Sequence, residues 1–357
     1  MSGRLAVDCR MAGKSGIGTY ISEILPYMLA ARPCLLLGSA AALAPLTAAA
    51  ADAQVLECAV APFSVQELFH FPGETLKRIN TECRAYYTPY CNIPGGIKVP
   101  VYSTIHDIVF LDVPGLASRP GTIARRLLYQ RAISRSAELF TVSEFSKSRI
   151  MSRLSCAKPV TVTYNAVPRR IAEAPAQNVP KDGSILFVGN IKKHKGLSVL
   201  LDGFRQFIAE YGGPEKPVLK IVGNADNFRT KDYTIGEKIK NFPAGSVAFT
   251  GFVDDETLLS LYHAARLLVQ PSLYEGFGIP PLEALYCGTN AVLSDIPVFK
   301  EIYKDFPVSF FKSGDAASLA QTIAASYGRP APTREQIPAR YSYRRSAEII
   351  LGRIGDA

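Results

Sequence analysis

The segment Gln270–Gly288, QPSLYEGFGIPPLEALYCG, gathers residue types that handle charged and hydroxylated ligands. A strand is expected to end near Gln270, which leaves Glu275 in the loop that follows. Gly276 and Gly278 let backbone amides approach an anion closely, and Pro280 and Pro281 suit the first turn of a helix that also holds Glu283. Amides and a helix dipole favour a diphosphate. A carboxylate beside that phosphate would repel it unless it accepts hydrogen bonds from neutral hydroxyls. Two carboxylates around such a site therefore imply a diphosphate between two polyols, the chemistry of a nucleoside diphosphate sugar. The plainer reading, a capping Glu283 and a solvated Glu275, leaves the grouping of two Glu, two Gly and two Pro after one strand unexplained.

Other segments carry weaker signals. VGNIKKHKG, Val188–Gly196, follows an expected strand and brings Lys192, Lys193 and Lys195 into a loop. Three lysines there suit a leaving diphosphate, or form a solvated basic loop. In AGKSGIGTYISEIL, Gly13, Gly16 and Gly18 precede a helix expected to begin near Thr19 and offer amides to an anion. The pattern is not GxGxxG and equally serves an ordinary turn. His106 and Asp107 end an expected strand and read either as a structural pair or as ligand contacts. Ser143 reads as the N-cap of a helix. No metal or resident cofactor is expected: there is no D-x-D, the histidines (His70, His106, His194, His263) are isolated, and Asp254 and Asp255 read as a helix cap. The basic loop can do the work of a divalent cation.

The elements that must position these residues alternate between short apolar runs and helical stretches, which argues for βαβ units and parallel sheets. Strands are expected at Leu5–Asp8, Leu35–Leu37, Val55–Cys58, Ala85–Thr88, Val101–Ile105, Leu139–Val142 and Val160–Tyr164 in the first half. In the second half they are expected at Ile185–Val188, Leu219–Val222, Val247–Thr250, Leu267–Gln270, Ala291–Leu293 and Val308–Phe311. Two doubly wound α/β domains follow, separated by a Pro- and Ala-rich linker at 168–183, and 357 residues is a two-domain length. Ligands of open α/β sheets bind beyond the carboxyl ends of the strands, so the working site is expected in a cleft between the domains. A last helical segment, Tyr341–Ile354, follows a Pro-rich break.

Composition narrows the class further. At 48% hydrophobic and 20% charged residues, the chain is globular and not disordered. Its net charge of +9 invites an anionic partner. Between Arg119 and Arg153 eight basic residues face two acidic ones, which suits a solvated helical face or an anionic membrane surface. Nucleic acid is disfavoured, because no recognition motif accompanies the charge and there is no Trp to stack on bases. Seven scattered cysteines without CxxC spacing suggest a reducing compartment, and no signal peptide is indicated. Cys34–Ala51 is apolar but broken by Gly38 and Pro45, which argues against a spanning helix.

EGFGIPPLE, Glu275–Glu283, resembles the E-x7-E signature of retaining glycosyltransferases with the GT-B fold, family 4 (group 1). GIGTY, TIHD, VSEFSKSRI, YNAV, VGNIKKHKG, GFVDDETL and SDIPVFKE fall in the expected order along nearly the whole chain. The resemblance implies two Rossmann-like doubly wound domains facing across a cleft: an acceptor domain at 1–170, a nucleotide-sugar donor domain at 183–338, and a helix at 341–357 packing back on the first. It implies that Glu283 binds the ribose and Glu275 the transferred sugar. Amides of Gly276, Phe277, Gly278 and Ile279 lie near sugar and phosphates, Lys195 neutralises the diphosphate, and His106 reaches the donor sugar. Glu275, His106 and Lys195 are thus the catalytic candidates, with Gly16, Gly18, Asn190 and Lys192 added on the donor side. Asn190 stands where an Arg is common, so the phosphate clamp falls to Lys192 or Lys193 together with Lys195.

The resemblance is strongest to bacterial mannosyltransferases that use GDP-mannose in exopolysaccharide or O-antigen assembly, while relatives use dTDP-rhamnose or UDP-sugars. It implies a front-face retaining mechanism, a lipid-linked oligosaccharide acceptor, and a peripheral location at the cytoplasmic face of the inner membrane through region 119–153. A GT-B epimerase shares this fold, as does a phosphorylase, although no pyridoxal-bearing lysine region is evident. A nucleotide-sugar binding module is the non-enzymatic alternative.

Overall fold

The computed structural model describes residues 3–48, 50, 52–175, 177, 179–223 and 233–355. Positions 176 and 178 of the expected linker, and 356 and 357 of the last segment, lie outside the described residues. The chain forms two units, residues 1–166 with 341–357, and residues 167–340.

The first unit is built on an all-parallel sheet of β1 (Arg4–Asp8), β2 (Cys34–Gly38), β3 (Gln54–Glu57), β4 (Cys83–Thr88), β5 (Val101–Thr104), β6 (Ser136–Thr141) and β7 (Val160–Val162), in the order β3-β2-β1-β4-β5-β6-β7. Parallel strands covered on both faces must be apolar along their length, and all of β2 is buried. Successive side chains serve opposite layers. Leu5 and Val7 pack with Tyr20, Ile24 and Met28 of the helix Ser15–Ala31, whereas Ala6 packs with Ile79, Tyr129 and Ile133. Tyr343, Ala347 and Ile350 of the helix Tyr343–Gly355 complete the first of these layers.

Two local features depart from sequence expectation. The first helix begins at Ser15, so Gly16 and Gly18 lie inside its first turn and do not precede it. The Gly18 amide closes that turn on the Lys14 carbonyl at 3.0 Å, and a Cβ at position 18 would stand 2.5 Å from the Met11 carbonyl oxygen. Gly18 is therefore needed for the loop to fold onto its own helix, and its amide is spent there. The supposed linker also contains a short helix, Arg169–Ala172, whose Ile171 is buried and whose last carbonyls accept hydrogen bonds from Arg334 at 3.0 and 3.2 Å.

The loop after β1 is held by a buried ionic cluster. Arg10 donates to both Asp8 oxygens, to Glu67 and to the Tyr90 hydroxyl, and Tyr86 and Tyr90 each donate to Asp8 at 2.7 Å. Burial works to raise the Asp8 carboxyl, but Arg10 and the two hydroxyls hold it below its usual range. Glu67, whose burial outweighs its share of Arg10, is raised.

The second unit repeats the architecture with β8 (Ser184–Val188), β9 (Val218–Val222), β10 (Val247–Gly251), β11 (Leu267–Gln270), β12 (Asn290–Ser294) and β13 (Val308–Phe311), all parallel in the order β10-β9-β8-β11-β12-β13. Its core joins Ile185, Phe187, Leu219 and Val269 to Leu200, Phe204 and Ile323 of the flanking helices. Strand order reverses between β8 and β11, so the loops leaving these two strands border a switch point, where open α/β sheets take their ligands. Among the described residues no helix is long and apolar enough to cross a membrane. Of the apolar stretch 34–51, positions 49 and 51 lie outside the described residues, and the rest contributes β2 and the helix Ala40–Thr47.

Candidate active site

In the second unit the switch-point loops carry Lys195 and Glu275. After β8 the chain passes Gly189 and the exposed Asn190, then makes a 3-10 turn at Lys193–Lys195 before Gly196 begins the helix Leu197–Glu210. Gly196 has a φ of 73°, and a Cβ there would lie 2.0 Å from the Pro271 carbonyl oxygen, so only glycine lets the two loops meet. The Leu273 amide donates to the His194 carbonyl at 2.7 Å and locks them together.

This contact delivers Lys195 to Glu275. The ammonium lies 2.7 Å from both carboxylate oxygens, and Ser272 Oγ donates to Oε1 at 2.8 Å, with Gln270 Nε2 at 3.3 Å. Glu275 is 9% exposed, so its charge is met inside the protein by these donors. Lys192 and Lys193 are exposed on the same loop. His194 is buried, and that burial, with Lys195 alongside, pushes its imidazole down to about 4, so it is neutral near pH 7.

The peptide after Glu275 is shaped for close approach. Gly276 and Phe277 are buried, and the Phe277 ring is part of the packing. Gly278 has a φ of 85°, a Cβ there would stand 2.4 Å from the Phe299 ring, and its carbonyl accepts the Tyr303 hydroxyl. Ile279 caps the helix Pro280–Tyr286, whose first turn contains Glu283. Glu283 neither caps that helix nor faces solvent. It is 7% exposed, with Tyr262 Oη donating to Oε2 at 2.6 Å and Arg170 Nη2 3.5 Å from Oε1. Arg170 also pairs with Asp255 at 3.4 Å. Asp254 accepts the Thr257 amide at 2.8 Å as the cap of the helix Asp255–Ala264.

The structure thus joins Lys195 directly to Glu275 and places Gly276, Phe277, Gly278, Ile279 and Glu283 on the chain that follows. Sequence reasoning missed Gln270, Ser272, Tyr262 and Arg170. Ser272, three residues before Glu275, was open to discovery by spacing. Tyr262 and Arg170 belong to other elements, and no local pattern marks them.

The remaining candidates lie in the first unit. Gly16 and Gly18 are in the first turn of the helix Ser15–Ala31, and a Cβ at Gly16 would meet nothing within 4 Å. His106 follows β5. Its Nε2 lies 2.9 Å from the Pro89 carbonyl, an oxygen that can only accept, so the proton sits on Nε2 and Nδ1 keeps its lone pair. Tyr20 stacks edge-on against the ring at 4.9 Å. Burial pushes this imidazole down to about 4 despite the Pro89 contact. At neutral pH His106 therefore carries no charge, and its Nδ1 is a hydrogen-bond acceptor. The Asp107 Oδ1 accepts the Val109 amide at 3.0 Å. Ser143 Oγ accepts the Ser146 amide at 3.0 Å as the N-cap of the helix Glu144–Arg153. Among the described residues no group of three or more His, Cys, Asp or Glu is placed to hold a metal ion.

Residues 169–339 match the family model for glycosyl transferases group 1. Among curated proteins, the chain is 26% identical over 232 residues to the O-antigen chain mannosyltransferase B of Escherichia coli, covering 62% of this chain and 59% of that protein. It is 28% identical over 201 residues to an O-antigen chain mannosyltransferase of Salmonella typhimurium, covering 56% and 53%. The chain thus aligns with little more than half the length of these relatives. Among solved structures, Anabaena HepE in complex with UDP and glucose superposes with a TM-score of 0.69 at 16% identity, covering 99% of this chain and 100% of that one. A sucrose-phosphate synthase from Thermosynechococcus elongatus gives 0.69 at 16% identity, covering 99% and 98%.

Proposed function

We propose, from the premise that residues 169–339 belong to the glycosyl transferases group 1 family and that the chain has the GT-B fold of its structural neighbours, that this protein is a retaining glycosyltransferase. It transfers mannose from GDP-mannose to a hydroxyl of a lipid-linked glycan in bacterial surface polysaccharide assembly, working at the cytoplasmic face of the inner membrane as a peripheral protein. The observation that carries this reading is the Lys195–Glu275 pair at the switch point, with Glu283 in the helix that follows.

The chemistry assigned to each group follows from its surroundings. Lys195, with Lys192 or Lys193, takes the negative charge of the diphosphate as the anomeric C–O bond breaks and its electron pair goes to phosphate. Amides of residues 276–279 are assigned to the same oxygens. Glu275, already surrounded by fixed donors, accepts hydrogen bonds from hydroxyls of the transferred sugar, and Glu283, fixed by Tyr262 and Arg170, accepts those of the ribose. His106 contributes a neutral acceptor, Nδ1, to a sugar hydroxyl. The acceptor hydroxyl forms the new bond on the face that the phosphate leaves, and its proton passes to a phosphate oxygen. Lysine charge fills the role of a divalent cation, so transfer is expected to proceed in excess EDTA.

A thermal-shift panel of GDP, UDP, dTDP and ADP tests the donor assignment, since a bound ligand stabilises the folded state by mass action. A GDP-selective shift abolished in Glu283→Ala supports it. Selectivity for UDP moves the donor to the second reading, favoured by the UDP and glucose bound to the Anabaena neighbour. No shift with any nucleotide overturns the donor site. Product analysis separates transfer from epimerisation, which would release no glycosylated acceptor.

A further inference from the structure

The helix Arg119–Arg135 is apolar on both sides. Tyr129, Ala132 and Ile133 are buried. On the outer side Pro120, Ile123, Ala124 and Leu127 form an exposed stripe at helical spacing, with Ile123 61% and Leu127 64% exposed. Arg119 and Arg126 are exposed beside that stripe. Other arginines of the helix are fastened inward: Arg131 and Arg135 each donate to backbone carbonyls at 2.6 Å, and the Arg125 guanidinium lies 4.1 Å from the centre of the Phe110 ring. These contacts leave their positive charge in place. Arg126 reaches the Arg153 carbonyl at 3.0 Å, which ties the helix to the basic helix Glu144–Arg153. Apolar side chains turned to water within a cationic field are the pattern of a helix lying in an anionic bilayer surface, where charge attracts and apolar side chains insert.

We infer that Ile123 and Leu127 are the residues that insert into an anionic lipid surface, with the helix Arg119–Arg135 lying along it. The inference rests on the peripheral-membrane reading above and adds to it a specific footprint. Charge complementarity selects the occupant, because the exposed stripe sits in the most basic stretch of the chain. A protein partner would show itself as an absence of vesicle binding.

Co-sedimentation with vesicles of phosphatidylglycerol and phosphatidylethanolamine, against pure phosphatidylcholine, is the first measurement. The wild-type protein is expected to bind the anionic vesicles, more weakly as salt is raised. The Ile123→Ser/Leu127→Ser double variant is expected to lose about tenfold or more in vesicle affinity while keeping its nucleotide-induced thermal shift, which establishes that it is folded. The chain contains no Trp, so Ile123→Trp supplies a single emitter. Its emission should shift to the blue on adding anionic vesicles and be quenched by brominated lipid. Phe69→Ser, at a side chain 74% exposed on the separate helix Val65–Phe69, should leave binding unchanged. Wild-type binding that survives the double serine variant, or that is lost in Phe69→Ser instead, overturns this footprint and leaves membrane association standing. No wild-type binding to anionic vesicles overturns both.

Discussion

Replacing Glu275 by Gln should tighten the binding of a nucleoside diphosphate while suppressing sugar transfer. Lys195 Nζ holds both Glu275 oxygens at 2.7 Å. A phosphate using the same ammonium from the other side would lie about 5 to 6 Å from the carboxylate. At that separation two like charges cost about 3 kcal/mol with an effective dielectric near 20. Lys195 is partly open to water, which lowers the penalty to roughly 1–2 kcal/mol, or about 5- to 30-fold in affinity. Glutamine keeps an acceptor for Ser272 Oγ, while the charge is lost and one of the two oxygens that accept from Lys195 becomes an amide donor. Transfer should fall by about 100-fold or more, because the sugar loses its charged acceptor. Isothermal titration with GDP and UDP reads the first quantity, and turnover with a saturating nucleotide sugar reads the second. Weaker diphosphate binding by Glu275→Gln would show that Lys195 is not shared between carboxylate and phosphate, and the assigned roles would fall together.

Tyr262→Phe removes the 2.6 Å hydrogen bond to the buried Glu283. It should cost about 1.5–3 kcal/mol in urea unfolding and weaken nucleoside binding more than free-phosphate binding; unchanged stability would mean that Glu283 is satisfied otherwise. Gly196→Ala forces a side chain into a positive φ and against the Pro271 carbonyl, so it should cost at least ~2 kcal/mol and lower nucleotide affinity; a wild-type denaturation curve would refute the interlocked loops. His106 and His194 both titrate near 4 in the fold against 6.5 when unfolded. The unfolded chain then binds more protons between these values. Their contribution to stability is complete above pH 6.5 and is lost as pH falls toward 4, with a slope of no more than ~1.4 kcal/mol per pH unit for each. Denaturation at pH 7 and 5 measures the slope, which His106→Gln should reduce; transfer activity should be flat between pH 6 and 8 as far as His106 is concerned.

The strands were legible because parallel strands covered on both faces read as unbroken apolar runs, and Leu267–Gln270 and Val308–Phe311 coincide with the expected segments. The first helix was misjudged because three glycines read as loop, whereas Gly18 is there to pack against Met11. The residue types of the candidate site were legible, but their partnerships were not. Lys195 and Glu275 stand 80 positions apart, and each looks solvated in its own segment. A carboxylate only 9% exposed is costly to bury unless donors surround it. The switch of strand order places the β8 and β11 loops side by side, so a cation and a carboxylate from distant segments meet at 2.7 Å. A diphosphate that uses the Lys195 ammonium, as proposed above, would have to compete with Glu275 for it, which is why removing the carboxylate charge should strengthen diphosphate binding and weaken transfer.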